Sequence, residues 1–249
     1  METYLTATTD KDVQSVEALR LEAVTTCVGF DDMLDVTLKY NHPHVDTMIV
    51  VTSHEDKATQ LCARKHGVIC VETGLFHKNG RGFNKGAGIN AGFNYWQYHG
   101  WRLHLDCDIV LPDQFRRILF NHTVLDQRCL YGADRVDIVG ADAPAKLKPQ
   151  NAWGYFVSPP AGLYGSRFVH RLYGYEPIGY FQLWHCSTQK DYPYSLGAAC
   201  KDDVMFADQY QEEYRRLLPS VIVAHLTTGQ HKMGSNWNGR TTPRLKKEI

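Results

Sequence analysis

The chain lacks the sequence features of several large protein classes. Its seven cysteines form no C-x-x-C pair, which disfavours both a structural zinc site and a disulfide framework. No apolar run approaches the ~20 residues that cross a bilayer, and residues 1–12 lack the basic and apolar regions of a signal peptide. Together these absences predict a cytoplasmic protein without a membrane span, since unpaired thiols suit a reducing compartment.

Net charge, internal repeats and low-complexity segments are also missing. Lys and Arg together number 27, and so do Asp and Glu. This balance gives no overall attraction to nucleic acids or anionic membranes, although it leaves a local basic face open. A length of 249 residues with 43% hydrophobic residues suits one large globular domain or two small ones. Nothing in the sequence indicates the oligomeric state.

The first half of the chain alternates strand and helix patterns. Apolar runs predict strands over 21–28, 47–52, 68–72 and 101–105. Asp31 or Asp32 is a candidate cap for a helix between the first two strands, and Ser53 with Asp56 resembles a capping box for the next. A third helix is predicted to end at Gly100. This order predicts a doubly wound α/β sheet that binds ligands at the carboxyl ends of its strands.

The second half predicts less regular structure. A helix is expected over 202–218 and a strand over 221–226. The segment 228–249 is polar and then basic, which predicts a flexible tail or a lid. Five aromatic side chains are candidates for a platform that stacks on a sugar or acceptor, although most of them are expected to belong to the core: Trp153, Tyr155, Tyr180, Phe181 and Trp184.

Two carboxylates, Asp106 and Asp108, follow the fourth predicted strand. Side chains two residues apart at a strand end point the same way, so the pair can hold a hard divalent cation. The spacing alone is not specific, because Asp10 and Asp12 share it in a polar stretch. An alternating apolar strand before the pair favours the metal-site interpretation. The alternative is a solvated turn that caps a helix.

Five segments, in order along the chain, resemble family 2-like GT-A glycosyltransferases. They are MIVVTSHED, FNKGAGINAGF, LHLDCDIVLPDQF, CKDDVMF and VIVAHL. The resemblance covers about residues 22 to 240. It implies a single domain of GT-A fold, which is Rossmann-like, with a mixed and mainly parallel sheet flanked by helices. Residues 1–108 would form the nucleotide-sugar half and 109–227 the acceptor half.

The resemblance implies a hexosyltransferase-like enzyme that moves a sugar from a UDP- or GDP-sugar to a hydroxyl group. A metal held by Asp106 and Asp108 would neutralise charge on the leaving diphosphate. His225 is the implied third ligand, with His231 as the alternative, and an imidazole ligand favours Mn²⁺ over Mg²⁺. Otherwise His225 is a packed or surface histidine.

The same resemblance places a catalytic base at Asp202 or Asp203. Inverting transfer needs a carboxylate that takes the proton of the acceptor hydroxyl. Lys201 stands where the family pattern has Glu, so the choice between the two Asp residues and the stereochemistry both stay open. Alternatively, both residues cap the helix that follows them.

Donor contacts are expected on both sides of the acidic pair. The resemblance implies that Thr26 and Val28 line the base pocket through their backbone. Asp56 would contact the nucleobase, unless it serves only in the capping box. Trp237 and Arg240 are expected to fold over the diphosphate, where a guanidinium can bind phosphate oxygens in pairs.

A glycine-rich segment is a further candidate for donor binding. Gly86, with Gly88 and Gly92, would let the backbone approach a sugar or phosphate, and Lys85 and Arg81 would supply positive charge. The alternative is a helix N-terminus with packing glycines. The spacing is one residue off the dinucleotide fingerprint and follows a polar loop, which opposes an NAD(P)-dependent oxidoreductase.

The acceptor is not identified by the sequence. A glycan, a small molecule and a modified base in DNA all stay open, and residues 240–247 with Lys146 and Lys148 could form a basic rim for DNA. A non-catalytic module that binds sugar or nucleic acid is the remaining alternative.

Overall fold

The computed structural model describes residues 20–80, 82–121, 124–142, 147, 164–166, 176–193, 199–228 and 239–246. The strands are β1 Leu21–Thr26, β2 Thr47–Ser53, β3 Ile69–Thr73, β4 Trp101–Leu105, β5 Ile109–Val110, β6 Leu130–Val139, β7 Tyr164–Ser166, β8 Phe181–His185 and β9 Arg215–Thr227. The α-helices are α1 Asp31–Asn41, α2 Lys57–Lys65, α3 Lys85–Phe93, α4 Phe115–Asn121 and α5 Ala199–Ala207. Short 3-10 helices lie at His42–His44, Leu75–Gly80, Cys186–Thr188 and Glu212–Tyr214.

All of these strands belong to one mixed sheet, in the order β3-β2-β1-β4-β8-β6-β9-β5, with β7 paired to β6. The first four strands are mutually parallel. Strand β8 runs antiparallel to β4 and β6, and β9 runs parallel to β6 over a long ladder. Most paired residues therefore lie in parallel ladders. The prediction of a mixed, mainly parallel α/β fold is confirmed.

The two faces of the sheet carry separate hydrophobic clusters. Along β2, Met48 and Val50 belong to one cluster, and Ile49 and Val51 to the other, because successive side chains on a strand point to opposite faces. Helices α1 and α2 cover the first face, and α3 covers the second. Burial on both sides explains why β1 and β2 are apolar almost throughout and were predictable from sequence.

The helix starts differ in detail from the predicted caps. Helix α1 begins after Phe30 with no side-chain cap, so neither Asp31 nor Asp32 caps it. Helix α2 is capped by Asp56 itself, whose side chain accepts from the Thr59 N–H at 3.1 Å. The predicted capping box is therefore wrong, because the strand continues through the position expected to cap the helix.

The largest difference from the sequence prediction lies at 202–218. Helix α5 ends at Ala207, a turn and the 3-10 helix Glu212–Tyr214 follow, and residues 215–218 form the start of β9. The local sequence QEEYRRLL has high helix propensity, but pairing with β6 overrides this preference. The ladder is shifted between Ala133 and Asp134, which lets the pairing extend along β6.

In its described part, 239–246, the C-terminal segment packs against the body of the protein. Leu245 is buried in a cluster with Met33 and Ile138. The Lys246 N–H donates to the Ala141 carbonyl at 2.8 Å. Over these residues the segment is packed against the rest of the domain, whereas the sequence predicted a flexible tail or lid.

Two sequence expectations concern covalent links and membranes. Six cysteines in the described ranges carry free thiols, and none of these six is in a disulfide. Among the helices of the described residues, none combines the length and apolar character needed to cross a bilayer.

Candidate active site

Asp106 and Asp108 follow β4 at the carboxyl edge of the sheet, where the backbone ties them to β8 and β9. The Asp106 N–H donates to the Tyr180 carbonyl at 3.2 Å, and the Leu226 N–H donates to the Asp108 carbonyl at 2.8 Å. Ile109 pairs with His225 in the antiparallel β5–β9 ladder. The acidic pair and the predicted histidine ligand therefore lie side by side.

His225 lies between two carboxylates. Its Nε2 is 3.4 Å from Asp108 Oδ2, and its Nδ1 is 2.8 Å from Asp137 Oδ1. Burial by itself would lower the pKa of His225, but Asp108 and Asp137 raise it to about 9. Asp108 Oδ1 is buried and has no hydrogen-bond partner among the described residues. The site thus holds a carboxylate oxygen that a cation could satisfy.

Asp137 was missed by sequence reasoning. It lies directly opposite His225 in the β6–β9 ladder, and its bond to Nδ1 fixes the orientation of the ring. Because side chains alternate along β6, the sequence can predict which β6 residues share a face with Asp137. No local pattern predicts which β9 residue lies opposite, because that depends on the register.

Lys85 joins the acidic pair to the predicted base. Its ammonium lies 2.6 Å from Asp106 Oδ1 and 3.3 Å from Asp203 Oδ1, and it donates to the Gly179 carbonyl at 3.2 Å. Burial would lower the pKa of Lys85, but the two carboxylates outweigh burial and raise it. The charged form therefore persists in a nearly buried position.

The neighbouring carboxylates Asp202 and Asp203 have different surroundings. Asp202 is fully buried and accepts the Gly86 N–H at 2.8 Å, at the start of α3. Asp203 pairs with Lys85, and 15% of its side chain is exposed. Burial raises the pKa of Asp203 to about 6, and repulsion from Asp106 adds to this, although Lys85 opposes it. Of the two, only Asp203 is partly exposed to solvent.

Gly179 makes room for Asp203. A Cβ atom at this position would lie 1.8 Å from the Asp203 carboxyl carbon, closer than any packing allows. The close approach of Asp203 therefore requires glycine at this position. No sequence pattern distinguishes Gly179 from the other glycines in the second half of the chain.

A buried polar chain lies beneath Asp106. His104 Nδ1 is 3.2 Å from the Tyr192 hydroxyl, which donates to Gln182. His104 Nε2 lies 3.8 Å from Asp106 Oδ1 and is buried without a hydrogen-bond partner in the described structure. Burial, with the charge of Lys85, holds the pKa of His104 well below its usual range. The ring is therefore a neutral support for the acidic pair.

The predicted base-pocket residues lie at the same edge of the sheet. Thr26 ends β1, which is parallel to β4, and Val28 follows in the loop. Asp56 Oδ2 accepts the Gly29 N–H at 2.6 Å and the Thr59 hydroxyl at 2.6 Å. Both Asp56 oxygens thus have hydrogen-bond partners within the protein. The contact of Asp56 with a nucleobase stays a prediction, and a base would have to compete with these partners.

Arg240 is engaged away from the acidic pair. Its guanidinium forms a bidentate ion pair with Asp32, and its other N–H groups donate to the carbonyls of Gly29, Thr242 and Pro243. Every donor is used, so the structure does not support the predicted contact with a diphosphate. Other predicted site residues lie outside the described ones: Arg81, Trp153, Tyr155, His231 and Trp237.

The glycines of α3 serve packing. A Cβ at Gly88 would lie 2.2 Å from the Phe76 ring, and one at Gly92 would lie 2.6 Å from Val24. The Gly86 N–H is taken by Asp202, so a direct bond from this N–H to a donor phosphate is not supported. These glycines also give no support to a nicotinamide dinucleotide site.

The described members of the proposed aromatic platform belong to the core. Tyr180, Phe181 and Trp184 are all at most 4% exposed. Trp184 packs against Phe93 and Phe206. These three rings cannot stack on a sugar, and their burial agrees with the expectation that most of the five aromatics belong to the core.

No protein-family model and no curated protein matches the sequence. The fold resembles mannosyl-3-phosphoglycerate synthase from Rubrobacter xylanophilus with a TM-score of 0.53 and 13% identity, over 86% of this chain and 68% of that one. Glucosyl-3-phosphoglycerate synthase from Mycobacterium tuberculosis, in complex with Mn²⁺, UDP and glucosyl-3-phosphoglycerate, matches with a TM-score of 0.51 and 13% identity, over 86% and 72% of the two chains. A complex of that synthase with Mg²⁺ and UDP has the same TM-score of 0.51 at 12% identity. The chain therefore has the GT-A fold that the sequence predicts.

Proposed function

We propose that the chain is a metal-dependent, hexosyltransferase-like enzyme that moves a sugar from a UDP- or GDP-sugar to a hydroxyl acceptor. The observation that carries the proposal is the grouping of Asp106, Asp108 and His225 at the carboxyl edge of the sheet, next to Lys85 and Asp203. Structural relatives of the same fold hold UDP with Mn²⁺ or Mg²⁺, which supports this chemistry.

The residues present fit a divalent cation. Asp108 Oδ1 is a buried oxygen without a hydrogen bond to the described residues. Lys85 pairs with Asp106 Oδ1 and would share that carboxylate with the ion. Asp106, Asp108 and His225 would hold the ion, and Asp137 orients the histidine ring. When bound, the ion neutralises charge on the leaving diphosphate. One nitrogen among oxygen ligands favours Mn²⁺ over Mg²⁺.

Asp203 is the proposed base. Its carboxylate reaches the site surface, whereas Asp202 is fully buried and bonded to the backbone of α3. Asp203 would take the proton of the acceptor hydroxyl as that oxygen attacks the anomeric carbon. Displacement assisted by one base inverts the anomeric configuration, which NMR of the product measures. A retained configuration would remove Asp203 from this role.

The acceptor is proposed to be a small molecule or a glycan. Arg240 and Arg244, the described arginines of the C-terminal segment, are ion-paired with Asp32 and Asp31. They therefore give no support to a basic rim for a DNA acceptor. A structural relative binds phosphoglyceric acid, so this compound belongs in the acceptor panel.

The proposal predicts ion-linked nucleotide binding and slow sugar transfer to water. UDP or GDP together with Mn²⁺ should stabilise the protein by about 2.7 kcal/mol at 100 times the Kd, and either ligand alone should do much less. The test is thermal denaturation, followed by a hydrolysis screen of UDP-, GDP- and dTDP-sugars with Mn²⁺.

Asp108→Asn should abolish both the stabilisation and the hydrolysis. The matched control is Asp126→Asn, which breaks an ion pair with Arg128 outside the cluster and should leave both unchanged. Absence of ion-linked binding across the whole nucleotide panel would contradict the proposal. Tight binding without turnover of any sugar would favour a non-catalytic module.

A further inference from the structure

A second cluster of metal-binding side chains lies at the other end of β4 from Asp106. His99 precedes β4, His185 ends β8, and Cys186 follows it. One ligand atom from each of these three residues lies within 4.8 Å of the other two. No C-x-x-C motif marks this cluster, because the pairing of β4 with β8 brings its residues together.

Backbone hydrogen bonds hold the cluster together. Trp101 pairs with His185 in the antiparallel β4–β8 ladder. The Cys186 N–H donates to the Gly100 carbonyl at 2.9 Å, and the Gly100 N–H donates to Cys186 Sγ at 3.3 Å. The Gly100 N–H thus helps to hold Cys186 Sγ in place near the two histidines. These hydrogen bonds hold the candidate ligands close together independently of an ion.

His185 is prepared to act as a ligand. It is buried, and its Nδ1 lies 2.8 Å from the Ser187 hydroxyl, which can fix the ring and its tautomer. Its Nε2 makes no hydrogen bond to any described residue. His99 is exposed and meets His185 edge to face at 5.2 Å.

Arg102, which interacts electrostatically with Cys186, is engaged with other partners. Arg102 forms a buried ion pair with Glu22, and its guanidinium lies 4.7 Å from the Trp96 ring centroid. It also donates to the Tyr98 carbonyl. The guanidinium therefore does not fill the space between the three candidate ligands.

A rival cluster of similar composition is already filled. Asp35, Cys62 and His66 also offer ligand atoms within 4.8 Å of one another. However, Lys65 Nζ lies 2.6 Å from Asp35 Oδ1, and His66 Nε2 lies 2.7 Å from the same oxygen. Burial also raises the pKa of Cys62 to about 12. This cluster is an internal ion pair and serves as a comparison.

We propose that His99, His185 and Cys186 bind a divalent transition-metal ion of the zinc class, separately from the carboxylate site. Two imidazoles and a thiolate suit Zn²⁺ better than Mg²⁺ or Mn²⁺. Ligand atoms around tetrahedral zinc lie about 3.3 to 3.6 Å apart, within reach of small side-chain rotations. Water would fill the fourth position beside the exposed His99, and the Cys186 proton would leave to solvent on binding.

Such an ion would join the start of β4 to the end of β8. These strands form the border between the parallel half of the sheet and the half that contains β6 and β9. Binding at this border should stabilise the folded protein in proportion to the logarithm of ion concentration above the Kd.

Titration with Co²⁺ tests the site, because thiolate bound to Co²⁺ gives a near-ultraviolet charge-transfer band. Metal-stripped full-length protein should develop this band, together with visible bands of tetrahedral intensity, and saturate at one equivalent. Zn²⁺ should then displace Co²⁺ and remove both. Cys186→Ser should abolish the charge-transfer band, and His99→Gln should weaken Co²⁺ binding at least ~10-fold.

Two variants control for other sites. Cys62→Ser removes the thiol of the rival cluster and should keep the band, as should Asp108→Asn. A wild-type protein without the band, or a band lost in Cys62→Ser and kept in Cys186→Ser, overturns the assignment. His99 is on an exposed turn, so His99→Gln decides the outcome if Cys186→Ser does not fold. Unchanged Co²⁺ affinity in His99→Gln also overturns it.

Discussion

At the residue scale, two adjacent carboxylates have separate tasks. Asp203→Asn should lower the rate of sugar transfer about 10²- to 10⁴-fold, because Asp203 is the proposed base. Asp202→Ala should instead cost about 1–3 kcal/mol of stability, since it leaves the Gly86 N–H unpaired. Initial rates and urea denaturation measure the two effects. Sugar transfer at the wild-type rate in folded Asp203→Asn would contradict this division.

Asp137 offers a second test at the residue scale. It holds Nδ1 of His225 and leaves Nε2 directed at Asp108. Asp137→Asn should weaken Mn²⁺ binding about 10- to 100-fold, as loss of a group that orients a ligand does elsewhere. The measurement is a Mn²⁺ titration followed by UDP-linked stabilisation. Wild-type Mn²⁺ affinity in this variant would show that Asp137 serves only the β6–β9 ladder.

At the element scale, the C-terminal segment fastens the start of α1. The Arg240–Asp32 pair is largely buried, whereas the Arg244–Asp31 pair has an arginine that is 57% exposed. Arg240→Gln should therefore cost about 2–4 kcal/mol of unfolding free energy, and the matched control Arg244→Gln less than about 1 kcal/mol. Urea denaturation measures both. Equal losses of unfolding free energy in the two variants would contradict the expectation that the buried ion pair contributes more than the exposed one.

The same pair gives stability a defined pH dependence. Burial would raise the pKa of Asp32, but Arg240 and the Leu245 N–H lower it below the ordinary value of 3.8. The contribution is therefore fully present above that value and is lost as pH falls through the lower folded-state pKa. Asp32→Asn should reduce stability at neutral pH and flatten its decline below pH 3.8. Unfolding free energies across the acid range check this, and an unchanged acid limb would contradict it.

At the scale of the whole molecule, one sheet links the two halves of the chain. Leu103 from the first half packs in the same cluster as Phe181 and Leu218 from the second. We expect a single calorimetric transition whose van't Hoff and calorimetric enthalpies agree, because neither half keeps a core when the β4–β8 border opens. Mn²⁺ with UDP should shift the whole transition. Two transitions, with only one shifted by ligand, would mean that the halves unfold separately.

Much of the first half was predictable because its signals are local. Apolar runs mark β1 to β4, and the strand before Asp106 distinguishes that residue from Asp10. Hydrophobic periodicity needs no knowledge of distant residues. The second half was predicted less well, since QEEYRRLL has a helical preference that only pairing with β6 overrides. Propensity is a weak guide where long-range pairing competes with it.

The sequence by itself determined the α/β class, the strand that carries the acidic pair, and the residue types able to hold a metal. Tertiary structure alone decided which groups meet. It separated Asp203 from Asp202, placed Asp137 opposite His225 and directed Arg240 to Asp32. It also brought His99 beside His185 and Cys186. The physical reason is that burial and electrostatics act through distances between elements, which strand register and packing fix and local sequence does not encode.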